Sequence, residues 1–261
     1  MNRLDPIIAV TREEVAQRRG ATPLPDLDLA VARRAAAGDV RSFAAAIERP
    51  GLSLIAEHKR RSPSAGPIRE DLELEDVVEA YERGGAAALS ILTDGPSFGG
   101  SLDDLRAARR VSTLPLLRKD FIVDPYQVHE AAAAGADAIL LIVAALSPRE
   151  LSALHSEAIG LGLSALVEVH DEHEMDVAIE VGAEIIGINN RDLKTLEVDT
   201  RRTFDLLIRV DGQALVVAES GFNRPEQLDE LAAAGVDGVL IGEALMRAPD
   251  LQAATHAFTA R

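Results

Sequence analysis

Three features of the sequence predict an α/β fold, a (β/α)8 TIM barrel with an N-terminal helical extension. The first is alternation. Eight short apolar runs, Leu52–Lys59, Ala87–Thr93, Leu114–Asp120, Ala138–Val143, Ala165–His170, Ile185–Asn189, Leu215–Ser220 and Gly238–Gly242, are separated by Ala-rich amphipathic stretches. Runs so nearly continuous in apolar residues are buried on both faces, as in a parallel sheet covered by helices. The second is a repeated junction: Gly84-Gly-Ala-Ala-Ala-Leu, Gly135-Ala-Asp-Ala-Ile-Leu, Gly182-Ala-Glu-Ile-Ile-Gly and Gly235-Val-Asp-Gly-Val-Leu. Glycine caps a helix in the left-handed conformation and a strand follows at once. The third is size, because eight strand–helix units in about 200 residues fit such a barrel. The rival, a doubly wound open sheet, usually carries Gly-x-Gly-x-x-Gly after its first strand. Here that turn is charged and contains Ser62-Pro63-Ser64-Ala65-Gly66.

The elements follow in order. Ile7, Ile8, Val10 and Val15 mark a loose helix over residues 1–20, with Gly20 as its stop. Pro23 and Pro25 form a connector. A second helix is expected from Asp26 to Ala37 and a short third from Ser42 to Glu48. No catalytic pattern occurs in this segment. Residues 1–50 are thus assigned to a helical extension packed on the barrel, and residues 51–261 to the catalytic barrel, in a single domain overall. The extension is expected to close the barrel's bottom or to reach over the substrate. The barrel helices are expected at Leu74–Arg83, Leu102–Arg110, Pro125–Ala134, Pro148–Gly160, Glu172–Val181, Thr200–Val210, Pro225–Ala234 and from near Leu245 to Phe258.

Composition narrows the function. The 261 residues are 47% hydrophobic and 27% charged, a globular balance. A net charge of -16 argues against nucleic acid as the main partner. An anionic small molecule remains suitable if the few cations focus on one cleft. With no cysteine there is no disulfide, thiolate chemistry or cysteine metal site. No apolar run reaches the roughly 18 residues of a membrane span. Met1 to Arg19 lacks a secretory signal pattern, so a cytoplasmic protein is expected.

The chemistry is expected at the C-terminal ends of the strands. The first strand ends in Glu57 and Lys59, on one face by the period-two rule, with His58 on the other. The third ends in Arg118-Lys119-Asp120, the fifth in Glu168-Val-His170, the sixth in Asn189-Asn190-Arg191 and the seventh in Glu219-Ser220-Gly221. The fourth, Ile139-Leu-Leu-Ile-Val-Ala-Ala, stays apolar, so the fold itself does not demand polar ends. One such end is explained by an ordinary ion pair; five together point to a site. Two lysines among three glutamates supply proton donors and a base without a metal or an organic cofactor. The turns Glu219-Ser220-Gly221-Phe222 and Gly242-Glu243-Ala244 suit a phosphate, with the Glu243 side chain directed away. Phe98, in the Gly- and Pro-rich loop 95–101, is placed to cover a ligand or to pack on the rim. His170-Asp-Glu-His173 has two imidazoles but no third ligand at fixed spacing, so no metal is assigned.

At these residues the sequence resembles the indole-3-glycerol phosphate synthase family. The resemblance rests on Ile55-Ala-Glu-His-Lys-Arg-Arg-Ser-Pro-Ser64, Ser90-Ile-Leu-Thr-Asp94, Leu117-Arg-Lys-Asp-Phe-Ile-Val-Asp-Pro-Tyr-Gln127, Leu166-Val-Glu-Val-His170, Ile186-Gly-Ile-Asn-Asn-Arg-Asp-Leu193 and Ala218-Glu-Ser-Gly221. It implies conversion of 1-(2-carboxyphenylamino)-1-deoxyribulose 5-phosphate to indole-3-glycerol phosphate, carbon dioxide and water. It implies Lys119 as general acid, Glu168 as catalytic carboxylate and Lys59 as second cation. Glu57, Asn189 and Glu219 then orient the lysines and sugar hydroxyls. Ser62, Arg191 and Ser220 support the site, Gly221 and Gly242 shape the phosphate loops, and Phe98 lies near the anthranilate ring. No cofactor is implied. The partner is a phosphorylated small molecule, with neither nucleic acid nor membrane, and the protein is expected as a monomer or weak homodimer. Two positions depart from the family pattern: Ala65 where many members have Lys, and Glu243 where some have Ser. The competing readings are another phosphate-binding barrel, such as an isomerase of histidine or tryptophan biosynthesis, and a non-catalytic phosphosugar-binding barrel.

Overall fold

The computed structural model describes residues 4–260 and closes eight parallel strands into a barrel. They are β1 (Ser53–His58), β2 (Ala88–Leu92), β3 (Leu116–Lys119), β4 (Ala138–Ile142), β5 (Ser164–Val169), β6 (Ile185–Asn189), β7 (Leu215–Glu219) and β8 (Gly238–Ile241). Each pairs with its neighbour in sequence, and Ser53 opposite Gly238 closes the ring. Residues 1–3 and 261 lie outside the described residues, and with them the start of the helix expected over 1–20.

The period of two sorts each strand onto two cores. Leu54, Ala56, Leu89, Ile91, Val167 and Val169 pack in the large cluster under the helices. Ile55, Leu117, Leu140, Leu166, Val217 and Leu240 form a separate cluster, the filling of the barrel. Continuing the inward positions two residues further gives Glu57, Lys119, Glu168, Glu219 and Gly242. The polar mouth is therefore the top layer of the barrel interior.

The extension reaches both ends of the barrel. Its helices are α1 (Leu4–Ala21), α2 (Leu24–Ala36) and α3 (Phe43–Ile47). Ser42 caps α3 by accepting from the Ala45 N–H at 3.1 Å. Phe43 and Ile47 of α3 join the interior cluster from the N-terminal end of the strands. Leu4, Pro6 and Ile7 of α1 line the cleft at the opposite end. Between them, α2 lies along α7 (Pro125–Ala134). Asp137 ties the extension to the barrel. Its fully buried carboxylate pairs with Arg34, and it accepts from the Arg41 N–H at 3.0 Å, Arg109 Nη1 at 3.1 Å and the Leu116 N–H at 2.9 Å. Removing one partner of such a network leaves buried charges uncompensated. Asp137→Ala is therefore expected to destabilise the protein by about 3–5 kcal/mol. Urea unfolding measures this, and an unchanged midpoint would contradict it.

The remaining helices are α4 (Leu74–Arg83), α5 (Gly95–Phe98), α6 (Leu102–Val111), α8 (Pro148–Gly160), α9 (Glu172–Glu180), α10 (Arg201–Leu207), α11 (Gln227–Ala234), α12 (Glu243–Met246) and α13 (Leu251–Thr259). Several details differ from the sequence expectation. The last helix is two, because Pro249 lacks an N–H and restrains the residue before it. The charged turn after β1 contains a two-stranded ribbon, Arg61–Ser62 against Gly66–Pro67. At the first junction Gly85, not Gly84, is left-handed with φ 93°, and Gly84 is small because Thr255 packs against it.

Candidate active site

The strand ends open into a cleft of about 1110 Å³. All twelve residues singled out from the sequence line it: Glu57, Lys59, Ser62, Phe98, Lys119 and Glu168 from the first five units, and Asn189, Arg191, Glu219, Ser220, Gly221 and Gly242 from the last three.

Lys119 stands at the centre. Its Nζ lies 3.2 Å from Glu219 Oε2 and 3.5 Å from Glu168 Oε2. Both carboxylates are 2% exposed. Burial alone would lower the lysine pKa, but Glu219, Glu168 and Glu57 outweigh it and raise it, so Lys119 is an ammonium. Burial also favours neutral carboxyls, and the balance differs between the two. At Glu168, Lys119, His170 and the Asn189 amide win and pull the pKa down. At Glu219 burial wins over Lys119, and the charge of Glu168 adds to it, so the pKa rises. The cluster thus holds an acid, an ionised base and a carboxyl that keeps its proton more readily.

Glu57 and Lys59 form the second pair. Nζ lies 2.7 Å from Glu57 Oε1, as expected for side chains on one face of a strand. Ser90 Oγ, on β2, donates to the other oxygen at 3.4 Å. Burial would raise the Glu57 pKa, but Lys59 and Lys119 lower it below the usual carboxylate range. His58 and Arg118 point outward, as the alternation requires. Arg118 is spent behind β3 on Asp120 at 2.8 Å and on the Gln127 carbonyl at 2.8 Å.

Two glycines owe their identity to these carboxylates. A Cβ on Gly187 would stand 2.2 Å from Glu219 Oε1, and one on Gly242 2.6 Å from Glu57 Oε1. Gly187 escaped the sequence reading because the clash is lateral, from β6 to β7. Gly187→Ala is expected to displace Glu219, cost about 1–3 kcal/mol and lower turnover more than it raises KM. Unaltered kinetics with unaltered stability would contradict this.

The loop after β7 is held in an unusual shape. Ser220 has φ 64° and Gly221 φ 91°. A non-glycine residue there costs on the order of 1–2 kcal/mol. Asn190, fully buried, stabilises the turn by donating to the Ser220 carbonyl at 3.0 Å, while its own Oδ1 accepts from Thr203 Oγ1 at 2.9 Å. After the neighbouring strand β8, Glu243 pairs with Arg247 at 2.9 Å, one helical turn on. Arg247 and Arg191 both line the cleft. Arg191 Nη1 donates to the Leu196 carbonyl at 3.0 Å.

The aromatic side is more ordered than a loop. Asp94 caps α5 by accepting from the Ser97 and Phe98 N–H groups at 2.7 and 3.2 Å. Phe98 meets Phe121, unassigned from sequence, with ring centroids 6.4 Å apart. Ser62 Oγ accepts from the Ala65 N–H at 3.1 Å and shapes the turn after β1. Among the described residues no group of three or more His, Asp or Glu is arranged to hold a metal ion.

Comparison with known proteins places this site. The family model described as indole-3-glycerol phosphate synthase matches residues 4–258. An indole-3-glycerol phosphate synthase 2 from Streptomyces coelicolor is 52% identical over 83% of this chain and 84% of its own. Indole-3-glycerol phosphate synthases from Aromatoleum aromaticum and Rhodopirellula baltica are 46% and 43% identical, covering 95% and 100% of both chains respectively. Among solved structures, the tryptophan synthase α subunit of Legionella pneumophila shares the fold, with a TM-score of 0.59 at 15% identity over 90% of this chain and 97% of that one. A barrel mouth with this lysine–glutamate set, matched along nearly its whole length, means that the chain belongs to the indole-3-glycerol phosphate synthase family.

Proposed function

We propose that the chain converts 1-(2-carboxyphenylamino)-1-deoxyribulose 5-phosphate to indole-3-glycerol phosphate, carbon dioxide and water through the Lys119 cluster. The observation that carries this is one ammonium held between two buried carboxylates at the centre of the mouth. In the first step the ring carbon bearing the carboxylate bonds to the ketone carbon, and the carbonyl electron pair becomes an alkoxide. Lys119 gives that oxygen its proton at the moment the charge develops. Next the bond to the carboxylate breaks, carbon dioxide leaves and its electron pair restores the aromatic ring. Last, Lys59 protonates the hydroxyl, which departs as water, while Glu168 takes a proton from the adjoining methylene. The carbon–carbon double bond of the indole forms from that pair. The enzyme gives two protons and takes one, and solvent returns the difference.

The other residues position the substrate. Glu57 and Asn189 hold Lys59 and Glu168 in place, and Glu219 holds Lys119. Ser62, Arg191 and Ser220 line the path of the sugar, and Phe98 faces the anthranilate ring. The phosphate sits between the turns at Gly221 and Gly242. One chain supplies every one of these groups, so a monomer or weak homodimer suffices. The extension and barrel act as a single domain, joined at Asp137. No helix among the described residues is long and apolar enough to cross a membrane, and a cytoplasmic location accords with that. A non-catalytic phosphosugar-binding barrel would have no use for two carboxylates buried on one lysine. Mixing the purified protein with the carboxyphenylamino substrate should develop indole fluorescence. No signal at high enzyme concentration would overturn the proposal.

A further inference from the structure

Beside the Lys119 cluster lies a buried group that the steps above do not use. His170 follows β5 directly, and its side chain is 11% exposed. Nδ1 lies 2.9 Å from Glu174 Oε2. Nε2 lies 3.4 Å from Glu168 Oε1, an ion-pair contact rather than an aligned hydrogen bond. Glu174 also accepts from the His170 backbone N–H at 2.8 Å, so one carboxylate grips both ring and main chain. Asp171 caps α9 by accepting from the Glu174 N–H at 2.9 Å and fixes this turn.

Lys119 faces two carboxylates of equal burial, and it alone does not distinguish them. The difference lies in what else each one meets. Glu168 Oε1 faces His170. Glu219 Oε1 has no hydrogen-bond partner among the described residues. Glu168 and Glu174 are the ionisable groups that face the imidazole. Burial opposes its charge, but the two carboxylates hold it as an imidazolium, with its pKa raised to about 10. A second cation on one carboxylate favours ionisation there and leaves the other the readier to hold a proton.

We propose that His170, gripped by Glu174, is a positioning residue that makes Glu168 rather than Glu219 the base. This rests on Glu168 being the base, as read above. The sign follows directly. A base must be ionised, and a neighbouring cation lowers the pH at which it becomes so. Removing the cation moves the acid limb of the kcat profile to higher pH.

The test measures kcat and KM from about pH 3 to pH 9, low enough to reach the acid limb, for wild type, His170→Gln, Glu174→Gln and Glu168→Gln. For His170→Gln, kcat should fall at the acid end of this range, with KM nearly unchanged and kcat at neutral pH little altered. Its acid limb should move up by about one pH unit, so that raising the pH restores most of the loss. Glu174→Gln keeps the imidazole and should move the limb the same way by less. An even loss at every pH, with the limb unmoved, assigns His170 a merely structural role and overturns the inference. Wild-type behaviour of His170→Gln overturns it as well. If His170→Gln does not fold, an unmoved limb in Glu174→Gln decides against it. Near-wild-type turnover in Glu168→Gln would instead sink the role of Glu168, whatever the His170 variants do.

Discussion

Lys119→Ala is expected to lower kcat by about 10²- to 10⁴-fold, with phosphate binding largely kept. Two losses combine. The developing alkoxide loses its proton donor, and Glu168 and Glu219 lose the ammonium that lies 3.5 and 3.2 Å away. Two carboxylates left facing each other in a buried site hold a proton between them, so the ionised base is lost along with the acid. The turns at Gly221 and Gly242 do not contact Lys119 in any bond described above, and they remain to bind phosphate. Indole fluorescence gives kcat, and titration with inorganic phosphate gives the second quantity. Unchanged turnover would remove Lys119 as the acid.

Glu168→Gln is the other large effect, a loss of about 10²- to 10³-fold in kcat. Glutamine keeps the volume and much of the hydrogen bonding but takes no proton. The loss therefore reports on proton acceptance rather than packing. Glu219→Gln is the internal contrast. Glu219 already tends toward its neutral form, and the amide mimics that form, so its loss should be smaller. Equal losses would mean that the two carboxylates are not differentiated in function.

The barrel and the mouth were legible because both follow from alternation. Inward positions two apart run from Ile55 to Glu57 and from Leu166 to Glu168, and nothing but the sequence is needed to see it. What escaped were contacts between strands. Gly187 reads as a strand glycine until β6 and β7 stand side by side and Glu219 occupies its missing side chain. Asn190 reads as part of a motif, yet its work is to hold Ser220 in a left-handed turn 30 residues away. His170 reads as part of the polar end of the fifth strand and, with His173, as an incomplete metal pair, since its true partners, Glu168 and Glu174, lie on the two sides of a strand-to-helix turn. Phe98 reads as part of a loose loop, because the Asp94 cap that makes a helix of 95–98 depends on close packing. The location of the extension was open for the same reason. Phe43 and Ile47 are ordinary apolar residues until they meet the interior of the barrel.

The central claim is that Lys119 protonates the alkoxide before carbon dioxide leaves, and that Lys59 acts afterwards. A single-turnover experiment that follows carbon dioxide release and indole fluorescence together in Lys119→Ala and Lys59→Ala separates the two. In Lys119→Ala both signals should slow together, because ring closure precedes decarboxylation. In Lys59→Ala carbon dioxide should appear ahead of indole. Carbon dioxide released at the wild-type rate by Lys119→Ala would contradict the account.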